Sequence, residues 1–542
     1  MPIPYHAVIG SWTGRSTFFW AATGATVGLS NLWKFPYLAS SNGGGWFVLM
    51  YIACLLLVTL PLMLTETAVG RSTRHGLMLS LDGLIRSVKV SRCWMWAGRL
   101  SIVSGFLVLS FTAVIGGICL AYVFFAALGF FVDASDAQIS SMLSELVEDP
   151  SQYRDFMAWH VLFLVLVIVV SIQGVTEGLE RAFRLIMPAF LLLLLGLLVY
   201  SYLYGELSRA AEHMLGLRSD QLDWNSLQLA LAHAFYTLGL GMGVWVVFGS
   251  YMPPDSPLKR SVIAVVLMDT VIAVMAGLVI YALVFRGGSD EMGQGFGLVF
   301  LALPGSLSDA PFGQFVATAM FVAVLLVAWT STLALLEPVI GWFQEWIGAP
   351  RGWSAFLIGV LAWLSGLGTL YSFNIWSDVT LAGGTIFRWV ELLASGLLIP
   401  LVSIAIAVFV GWKLGRVRAL SLIGQTPELL SVIWFWVLRL ILPLVIVYIG
   451  ASYGVSSVTA MCDNDERAFW CEQPDNDSSG FPTGIDAPPP MPSLEPIVPD
   501  LPQSPGPVPL VPDLPPQSPQ VMEEGSGRGD TAQEDELFYH SV

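Results

Sequence analysis

Charged residues are scarce in this chain. They make up 12% of the 542 residues, whereas 55% are hydrophobic and the mean hydropathy is +0.71. A soluble globular domain carries about 25% charged residues. The scarcity therefore argues against a soluble enzyme, and with 24 basic against 40 acidic residues nucleic acid is not expected as a partner. The composition predicts a polytopic membrane protein.

Cysteine and histidine are also rare, with five and six residues. Cys54, Cys93 and Cys119 lie in or beside apolar segments, where cysteine is usually unreactive. Cys462 and Cys471 are nine residues apart, and a disulfide between them is a hypothesis that the sequence leaves open. No nucleophile with a base, phosphate-binding loop or metal-ligand cluster has the required spacing, so we do not expect an enzyme.

Long apolar runs dominate the first part of the chain and predict eleven membrane spans, hence an all-α fold. These runs lie at 17–40, 46–69, 100–132, 157–173, 184–204, 225–250, 260–285, 313–343, 353–370, 386–411 and 429–454. The first run lacks a short apolar core followed by a small-residue cleavage site. We therefore interpret it as a retained helix.

Basic residues collect in alternate loops between these spans. They are Arg71, Arg74, Arg86, Lys89, Arg92, Arg99, Arg181, Arg184, Lys259, Arg260, Lys413, Arg416 and Arg418. Loops rich in Lys and Arg stay on the cytoplasmic side. The pattern predicts a multi-pass protein of the cell (inner) membrane with a cytoplasmic N-terminus. An odd number of spans then places the C-terminus outside.

The composition changes abruptly near the C-terminus. Half of the 32 prolines and 16 of the 40 acidic residues follow Met461, and a near repeat reads VPDLPQSP and then VPDLPPQSP. Such a segment cannot bury a core. We predict a membrane domain over 1–455 and an acidic, Pro-rich, disordered tail over 456–542. The tail could be a docking arm for an unknown partner or simply a solvated extension.

Two apolar spans are interrupted in the middle. The first contains GATVGLSNLWKFP at 24–36 and the sixth contains AFYTLGLGMGVW at 234–245. Glycines and polar side chains weaken a membrane helix, although close helix packing would explain either case alone. Because the interruptions open the first and sixth spans, they favour a 5+5 inverted repeat. Unwound backbone at the midplane would then bind a solute and ions.

Several motifs occur in an order and spacing that resemble the neurotransmitter:sodium symporter family, in its bacterial amino-acid branch. They are GATVGLSNLWKFP, NGGGWF at 42–47, TLGLGMGVWVVFGSYMP at 237–253, DTVIAVMAG at 269–277, GFGLVFLALP at 295–304 and WTSTLALLEP at 329–338. The resemblance covers residues 10 to 455 and excludes the tail. It implies a sodium-coupled symporter that works by alternating access, with discontinuous helices 1 and 6 and an outer re-entrant loop at 295–304.

The resemblance also implies two sodium sites, and sodium prefers oxygen ligands. The first site would contain Thr26, Asn31, Thr237 and Asp269, with an oxygen of the substrate. The second would contain Gly24, Val27, Val327, Thr330 and Ser331. Hydroxyl groups in membrane helices often bond back to their own helix, and that alternative stays open for the last two residues.

Asp269 is the most informative single residue because an ionisable side chain within a span is a functional candidate by default. In the chloride-dependent branch of the family an asparagine occupies this place and a nearby serine helps to bind the anion. Here the neighbouring position is Ala273. A carboxylate could balance the sodium charge itself, so we expect transport without chloride.

Gly28 bears on the substrate class. Monoamine carriers of the family have an aspartate at this place, whereas a glycine leaves room for the carboxylate of the substrate. The N–H groups around Leu29 and Ser30 would bind that carboxylate. The resemblance thus favours an amino acid over a decarboxylated amine, although the glycine could merely break the helix.

The implied substrate site draws on four spans. Its residues are Thr26, Gly28, Leu29, Ser30, Val108, Thr112, Tyr236, Thr237, Gly239, Met242, Ser331 and Leu335. Thr112 departs from the family, which usually has a tyrosine here whose hydroxyl holds the substrate carboxylate. The shorter side chain predicts a wider pocket, so a non-α-amino acid or another zwitterion stays open as cargo.

On the outer side, Lys34 and Glu391 take the places of the family's gating arginine and aspartate. The resemblance implies an ion pair across the vestibule, without the bidentate geometry of arginine. Lys34 could instead snorkel to the interface. His233 is the one histidine expected near this vestibule.

On the inner side, Trp12 and Glu345 match the family's gating residues. The expected N-terminal arginine is replaced by Ile9, and Arg15 is a candidate partner for Glu345. A protein of this fold that senses or docks without transporting is the remaining alternative, but intact sodium ligands argue against it.

Overall fold

The computed structural model describes residues 10–288, 295–424 and 429–464, which are almost entirely helical. The helices, in chain order, are α1 (Arg15–Thr26), α2 (Ser30–Ser41), α3 (Gly45–Thr73), α4 (Leu77–Val88), α5 (Arg92–Ala127), α6 (Asp136–Val147), α7 (Tyr153–Ile172), α8 (Val175–Tyr204), α9 (Leu207–Leu215), α10 (Trp224–Thr237), α11 (Val244–Tyr251), α12 (Leu258–Arg286), α13 (Leu298–Leu307), α14 (Gly313–Ile347), α15 (Arg351–Ser372), α16 (Ile386–Lys413), α17 (Arg416–Ile423) and α18 (Ser431–Thr459). Several of the long helices include a π-helical turn, for example at Leu55–Thr59 in α3 and Leu392–Leu398 in α16.

Nine helices of the described residues are long and apolar enough to cross a membrane: α3, α5, α7, α8, α12, α14, α15, α16 and α18. The two remaining predicted spans are pairs of half-helices, α1 with α2 and α10 with α11. The predicted all-α architecture with discontinuous first and sixth spans is therefore confirmed.

The interrupted spans lie inside the bundle. Helices α5 and α14 pack along each other at its centre, α1 contacts α8, α12 and α14, and α11 packs along α3. The backbone of a broken helix needs hydrogen-bond partners that lipid cannot provide. Surrounding α1, α2, α10 and α11 with protein meets this requirement.

Two glycines bring α3 and α11 into backbone contact. A Cβ atom on Gly70 would lie 1.7 Å from the carbonyl oxygen of Val246, and one on Gly249 would lie 2.1 Å from that of Thr67. Small residues allow such close approach between membrane helices. The second half of the sixth span, α11, is therefore held tightly against the second span.

The NGGGWF motif forms a close backbone crossing before α3. Gly43 and Gly44 have φ angles of +92° and +63°, and a Cβ atom on Gly44 would lie 2.1 Å from the carbonyl oxygen of Gly216. That same carbonyl accepts a 3.1 Å hydrogen bond from the Gly45 N–H. Glycine is thus required where the segment after α9 docks on the start of α3.

The segment that resembles the outer re-entrant loop contains the short apolar helix α13. The ring of Phe296 lies 5.8 Å and that of Phe300 lies 6.0 Å from the ring of Trp33 on α2, both edge-on. All three side chains are buried. This segment therefore packs directly against α2, the second half of the first span.

The C-terminal predictions fall largely outside the described residues. Helical backbone continues to Asn464, beyond the predicted domain boundary at 455. Residue 471, and with it the proposed disulfide and the Pro-rich repeat, lies outside those residues, so these remain predictions. Cys54 and Cys119 are buried as expected, but Cys93 is exposed, because it lies in the first turn of α5 before the apolar run begins.

We expect Gly70→Ala to lower the thermal unfolding midpoint of the purified protein, since the added methyl group must push α3 away from α11. Overpacking of this kind costs about 1–3 kcal/mol. Gly196→Ala on α8 is the matched control, because no atom lies within 4 Å of its added Cβ. A Gly70→Ala protein as stable as Gly196→Ala would contradict the tight contact.

Candidate functional site

The first break separates α1 from α2 by three residues. Val27 leaves the helical conformation with φ −68° and ψ 99°, and its N–H donates to the Thr23 carbonyl oxygen at 2.9 Å. The Gly28 N–H donates to the Asn31 side-chain oxygen at 3.1 Å. A side chain of α2 thus caps the break, and the N-terminus of α2 points toward the centre of the bundle.

The second break separates α10 from α11. Gly239, Gly241 and Gly243 have φ angles of +60°, +73° and +78°, which residues with a Cβ atom rarely adopt. Helix α10 itself starts at a capping box, in which the Ser226 N–H donates to the Asp223 carboxylate at 2.6 Å. Hydrogen bonds from the backbone N–H and hydroxyl of Ser226 hold the pKa of Asp223 below its usual range.

Side chains of two scaffold helices hold the second break in place. The Glu66 carboxylate on α3 accepts from the Gly241 N–H at 3.0 Å, and the Ser104 hydroxyl on α5 donates to the Gly241 carbonyl oxygen at 3.1 Å. All three groups are buried. The sequence analysis predicted neither Glu66 nor Ser104. Glu66 could have been identified, because an ionisable side chain within a span is a functional candidate.

The four residues expected to form the first sodium site come together around one carboxylate. Asn31 Nδ2 donates to Asp269 Oδ1 at 3.0 Å, and the Thr237 hydroxyl donates to Asn31 Oδ1 at 3.2 Å. Tyr51, which was not predicted, donates to Asp269 Oδ2 at 3.4 Å. Thr26 is buried at the end of α1 and lines the adjoining cavity.

The charge of Asp269 is not compensated by protein. Its side chain is fully buried, and within the described ranges it forms no ion pair with a basic side chain. An unpaired carboxylate is strongly disfavoured in a low-dielectric interior. Its donor set of carboxylate, amide and hydroxyl oxygens suits a hard monovalent or divalent cation.

Four of the five residues expected at the second sodium site meet where α1 ends beside α14. The Ser331 hydroxyl donates to the Val27 carbonyl oxygen at 3.2 Å, and the Thr330 hydroxyl lies 3.1 Å from the Val327 carbonyl oxygen. Thr330 also bonds back to Leu326 of its own helix at 3.0 Å, as the alternative interpretation allowed.

The fifth residue of that set, Gly24, lies on α1 one turn before the break. A Cβ atom there would lie 3.0 Å from the Phe183 ring and 3.1 Å from the Met187 sulfur, both on α8. Gly24 thus permits close packing of α1 on α8, and that packing fixes where α1 ends.

A cavity of about 220 Å³ lies between the two breaks and the helices α5 and α14. Every one of the twelve residues expected to bind substrate lines it: Thr26, Gly28, Leu29, Ser30, Val108, Thr112, Tyr236, Thr237, Gly239, Met242, Ser331 and Leu335. The cavity adjoins the Asp269 cluster through Thr26 and Thr237. The residues that the resemblance selected therefore form one continuous surface.

The cavity wall is largely apolar. No charged side chain of the described residues lines it, and its polar groups are backbone and hydroxyl groups. The hydroxyl of Tyr236 donates to the Ser395 carbonyl oxygen at 2.9 Å, so this residue presents its ring to the cavity. Such a wall offers apolar contacts and a few polar groups to a bound solute.

Sequence reasoning missed seven lining residues: Ala25, Trp33, Phe111, Ile115, Val244, Trp245 and Ala334. Phe111 and Ile115 follow Val108 at the spacing of one helix face, so periodicity along α5 could have identified them. Trp245 was not foreseeable in this way. Its indole N–H bonds to the Leu238 carbonyl oxygen at 2.7 Å, across the second break.

Comparison with known proteins identifies the family. A model described as the Sodium:neurotransmitter symporter family matches residues 10–129 and 143–464. The chain belongs to this family. The match spans both breaks, the cavity and all nine uninterrupted spans, so the sequence resemblance is confirmed.

The relatives include bacterial transporters. The chain is 30% identical over 441 residues to the uncharacterized sodium-dependent transporter YhdH of Bacillus subtilis, covering 81% of this chain and 96% of the relative. It is 26% identical over 451 residues to an uncharacterized sodium-dependent transporter of Haemophilus influenzae, covering 82% and 97%. A crystal structure of MhsT in complex with L-phenylalanine matches with a TM-score of 0.72 and 31% identity, covering 82% and 99%.

These similarities establish that the chain is a multi-pass, sodium-dependent membrane transporter. Sodium is the co-transported ion of the family and of the named relatives. The donor set around Asp269 is suited to this ion, since it offers hard oxygen ligands and one negative charge.

The expected outer ion pair between Lys34 and Glu391 does not form in the described structure. Glu391 instead accepts from Arg388 at 3.4 Å and from the Tyr453 hydroxyl at 2.5 Å, and no carboxylate of the described residues lies within ion-pair distance of Lys34. Arg388 lies one turn before Glu391 on α16, so this pair forms without ordering a side chain on another helix. The ring of Tyr453 lies 5.5 Å from that of Tyr236, which lines the cavity.

His233 is buried on α10, between the outer gate and the Asp269 cluster. Its ring stacks on Phe35 at 5.7 Å and lies 5.3 Å from the ring of Tyr51, and its Nε2 atom has no hydrogen-bond partner among the described residues. It is therefore a core residue of this symporter and does not line the cavity.

At the inner end, Glu345 binds a neighbour that the sequence did not indicate. Its Oε1 atom lies 3.2 Å from His75 Nδ1 and accepts from the Gly76 N–H at 2.9 Å. His75 and Gly76 lie in the turn between α3 and α4, far from Glu345 in the chain. This turn provides the partner of Glu345 for which Arg15 was the candidate. The Arg15 side chain itself lies outside the described set.

The segment before α1 is fastened to α8 by a single carboxylate. Glu180 accepts from the Thr13 N–H at 2.9 Å, from the Thr13 hydroxyl at 2.7 Å and from the Thr17 hydroxyl at 2.7 Å, and Arg184 lies 3.6 Å away. The neighbouring residue Trp12 is buried, and the centre of its ring lies 5.2 Å from that of Phe248. Glu180 thus carries the inner anchor that Ile9 cannot provide.

We expect Glu180→Ala to loosen the segment before α1, because three donors lose their acceptor and each such bond contributes about 1 kcal/mol. The measurement is the rate of thiol labelling at Ser11→Cys, in protein in which Cys93, Cys462 and Cys471 are replaced by serine. The rate should rise several-fold.

Arg184→Ala is the matched control, since it removes the neighbouring charge and leaves the three hydrogen bonds to Glu180 intact. Its labelling rate should stay near that of the parent protein. If Glu180→Ala labels no faster than Arg184→Ala, the carboxylate does not anchor the segment.

Proposed function

We propose that this symporter imports a zwitterionic amino acid with a large apolar side chain, driven by sodium and independent of chloride. The observation that supports this proposal best is the cavity, which joins an uncharged, largely apolar wall to the unpaired carboxylate of Asp269. The lining residues carry no charge that could balance a net charge on the substrate, and sodium would neutralise the carboxylate of Asp269. A zwitterion has no net charge, so backbone dipoles and a bound sodium ion are enough to stabilise its two charged groups.

The substrate carboxylate would bind at the start of α2. Gly28 has no side chain to occupy the space, and the N–H groups of Leu29 and Ser30 lie at the positive end of the α2 dipole. Thr112 contributes a hydroxyl on the facing wall but cannot reach as far as a tyrosine. Sodium at the first site would supply the remaining contact to the carboxylate.

The substrate side chain would lie against aromatic and branched residues. Val108, Phe111 and Ile115 form one wall on α5, and Met242 adds an adaptable side chain from the second break. L-phenylalanine is the ligand named for the MhsT structure, which is 31% identical to this chain. We take it as the first substrate to test.

Sodium would couple to substrate through shared contacts. A substrate oxygen in the first site would complete the ligands supplied by Thr26, Asn31, Thr237 and Asp269, so each partner raises the affinity of the other. The second site would join α1 to α14 through Gly24, Val27, Val327, Thr330 and Ser331. Sodium there would hold the inner half of the first span against the scaffold.

Alternating access would follow from the two breaks. Half-helix α1 can tilt at Val27 and Gly28 while α5 and α14 stay fixed, provided that the Glu180 anchor and the Trp12 packing release. We propose that this end of the bundle is cytoplasmic, as the basic loops predict. The C-terminal tail would then lie outside.

Uptake of tritiated L-phenylalanine into proteoliposomes tests the ion site. We expect sodium-driven uptake by wild type to be equal in chloride and in gluconate, and to be lost in Asn31→Ala and Asp269→Asn. Glu177→Gln is the control, because this carboxylate is exposed on α8 and pairs with Arg181.

Loss of wild-type uptake in gluconate would disprove chloride independence. Absence of uptake for L-phenylalanine and for a mixture of all amino acids, by protein that sodium still stabilises against heat, would favour another zwitterion or a sensor.

Thr112→Tyr should change which amino acids compete for uptake. The larger side chain shortens the space along α5 and adds a hydroxyl for the substrate carboxylate, so competition by phenylalanine should weaken and competition by alanine should strengthen. Thr112→Ser, which keeps a small hydroxyl residue, should leave the order unchanged. An unaltered order in Thr112→Tyr would place the substrate away from α5.

A further inference from the structure

A second cavity, of about 340 Å³, lies where α4 meets the first turns of α5, away from the two breaks. Three arginines line it, Arg86, Arg92 and Arg99, together with Asp82, Cys93 and Trp96. Neither the substrate cavity nor the sodium ligands involve these residues. The transport function leaves this basic pocket unexplained.

The basic residues of α5 form one stripe. Arg92, Trp96 and Arg99 are spaced by four and three residues, which places them on the same face of the helix, and all three are exposed. The Arg99 guanidinium lies 4.8 Å from the centre of the Trp96 ring. An indole exposed between two arginines is thus part of the pocket wall.

The pocket carries a net positive charge. Arg86 pairs with Asp82 on α4, whereas Arg92 and Arg99 form no ion pair with a carboxylate in the described parts of the chain. Three guanidinium groups therefore face one carboxylate. Guanidinium groups bind phosphate oxygens in bidentate geometry, which makes a phosphate-bearing ligand the best match.

The length of α5 places this pocket at the headgroup level of the membrane. The helix has 36 residues, about 54 Å at a rise of about 1.5 Å per residue, whereas the hydrocarbon core is about 30 Å thick. The apolar run of α5 begins after Arg99. Arg92 to Arg99 thus lie in the interfacial layer, where tryptophan is enriched.

We propose that this pocket binds the headgroup of an anionic phospholipid. Arg86, Arg92 and Arg99 hold the phosphate, and the exposed Trp96 ring lies beside the glycerol region. A free phosphate ion would use the same guanidinium groups, but it would not account for an exposed indole on the same stripe. The bound lipid would join α4 to α5 and so link the loop after the second span to the scaffold.

Cys93 offers a built-in reporter because it is exposed and lines the pocket. With Cys462→Ser and Cys471→Ser, the two other cysteines are buried, so Cys93 is the accessible thiol. The measurement is its rate of reaction with uncharged N-ethylmaleimide in phosphatidylcholine nanodiscs, with and without phosphatidylglycerol. We expect phosphatidylglycerol to slow the reaction several-fold.

Two controls separate a site from a general surface potential. A thiol at Ile347, which is 56% exposed at the end of α14, reports on the surface in a Cys93→Ser background and should react equally in both lipids. Arg92→Gln with Arg99→Gln should abolish the protection of Cys93. The charge-matched pair Lys413→Gln with Arg416→Gln, also exposed, should retain it.

Three results would overturn the proposal. Equal slowing at Cys93 and at the Ile347 thiol would indicate only surface potential. Protection that persists in Arg92→Gln with Arg99→Gln would exclude the guanidinium groups. Inorganic phosphate that protects Cys93 in phosphatidylcholine nanodiscs as well as phosphatidylglycerol does would identify a free anion as the ligand.

Discussion

An uncompensated buried charge is the constraint on which the rest of this structure depends. Asp269 lies fully buried at the centre of the bundle, bonded to Asn31 and Tyr51 and, within the described ranges, to no basic group. A carboxylate in this setting is stabilised by a cation. Sodium is the co-transported ion of the family, and we propose it as the cation that binds here.

The same constraint explains why two helices are broken. Continuous helices satisfy their own backbone groups and leave none for an ion or a solute. The breaks at Val27 to Leu29 and around Gly241 release such groups, and they persist because other helices hold them. Asn31 caps the first break, and Glu66 and Ser104 hold the second. The site is thus strained backbone enclosed by a rigid scaffold of α5 and α14.

The pairing of charged side chains was the least predictable part of the molecule. Glu391 was expected to pair with Lys34, yet it binds Arg388 on its own helix and Tyr453 on α18. Arg388 lies one turn away on the same helix, so it can pair with Glu391 at little cost in side-chain entropy. Tyr453 belongs to none of the motifs, so the sequence did not indicate its bond to Glu391. Similarly, Glu345 binds His75, whose approach depends on how the loop after α3 folds back. Ion pairs follow local geometry, which the order of the motifs does not specify.

The sequence by itself determined the membrane class, the eleven spans, the two interruptions and twelve of the residues that line the cavity. These features depend on hydrophobic run length, on glycine and on ordered motifs, which are properties of the chain itself. Only the tertiary structure decided that Tyr51, Glu66 and Trp245 complete the site, that Cys93 is exposed and that Glu180 anchors the N-terminal segment. Those contacts join residues far apart in the chain, and packing alone brings them together.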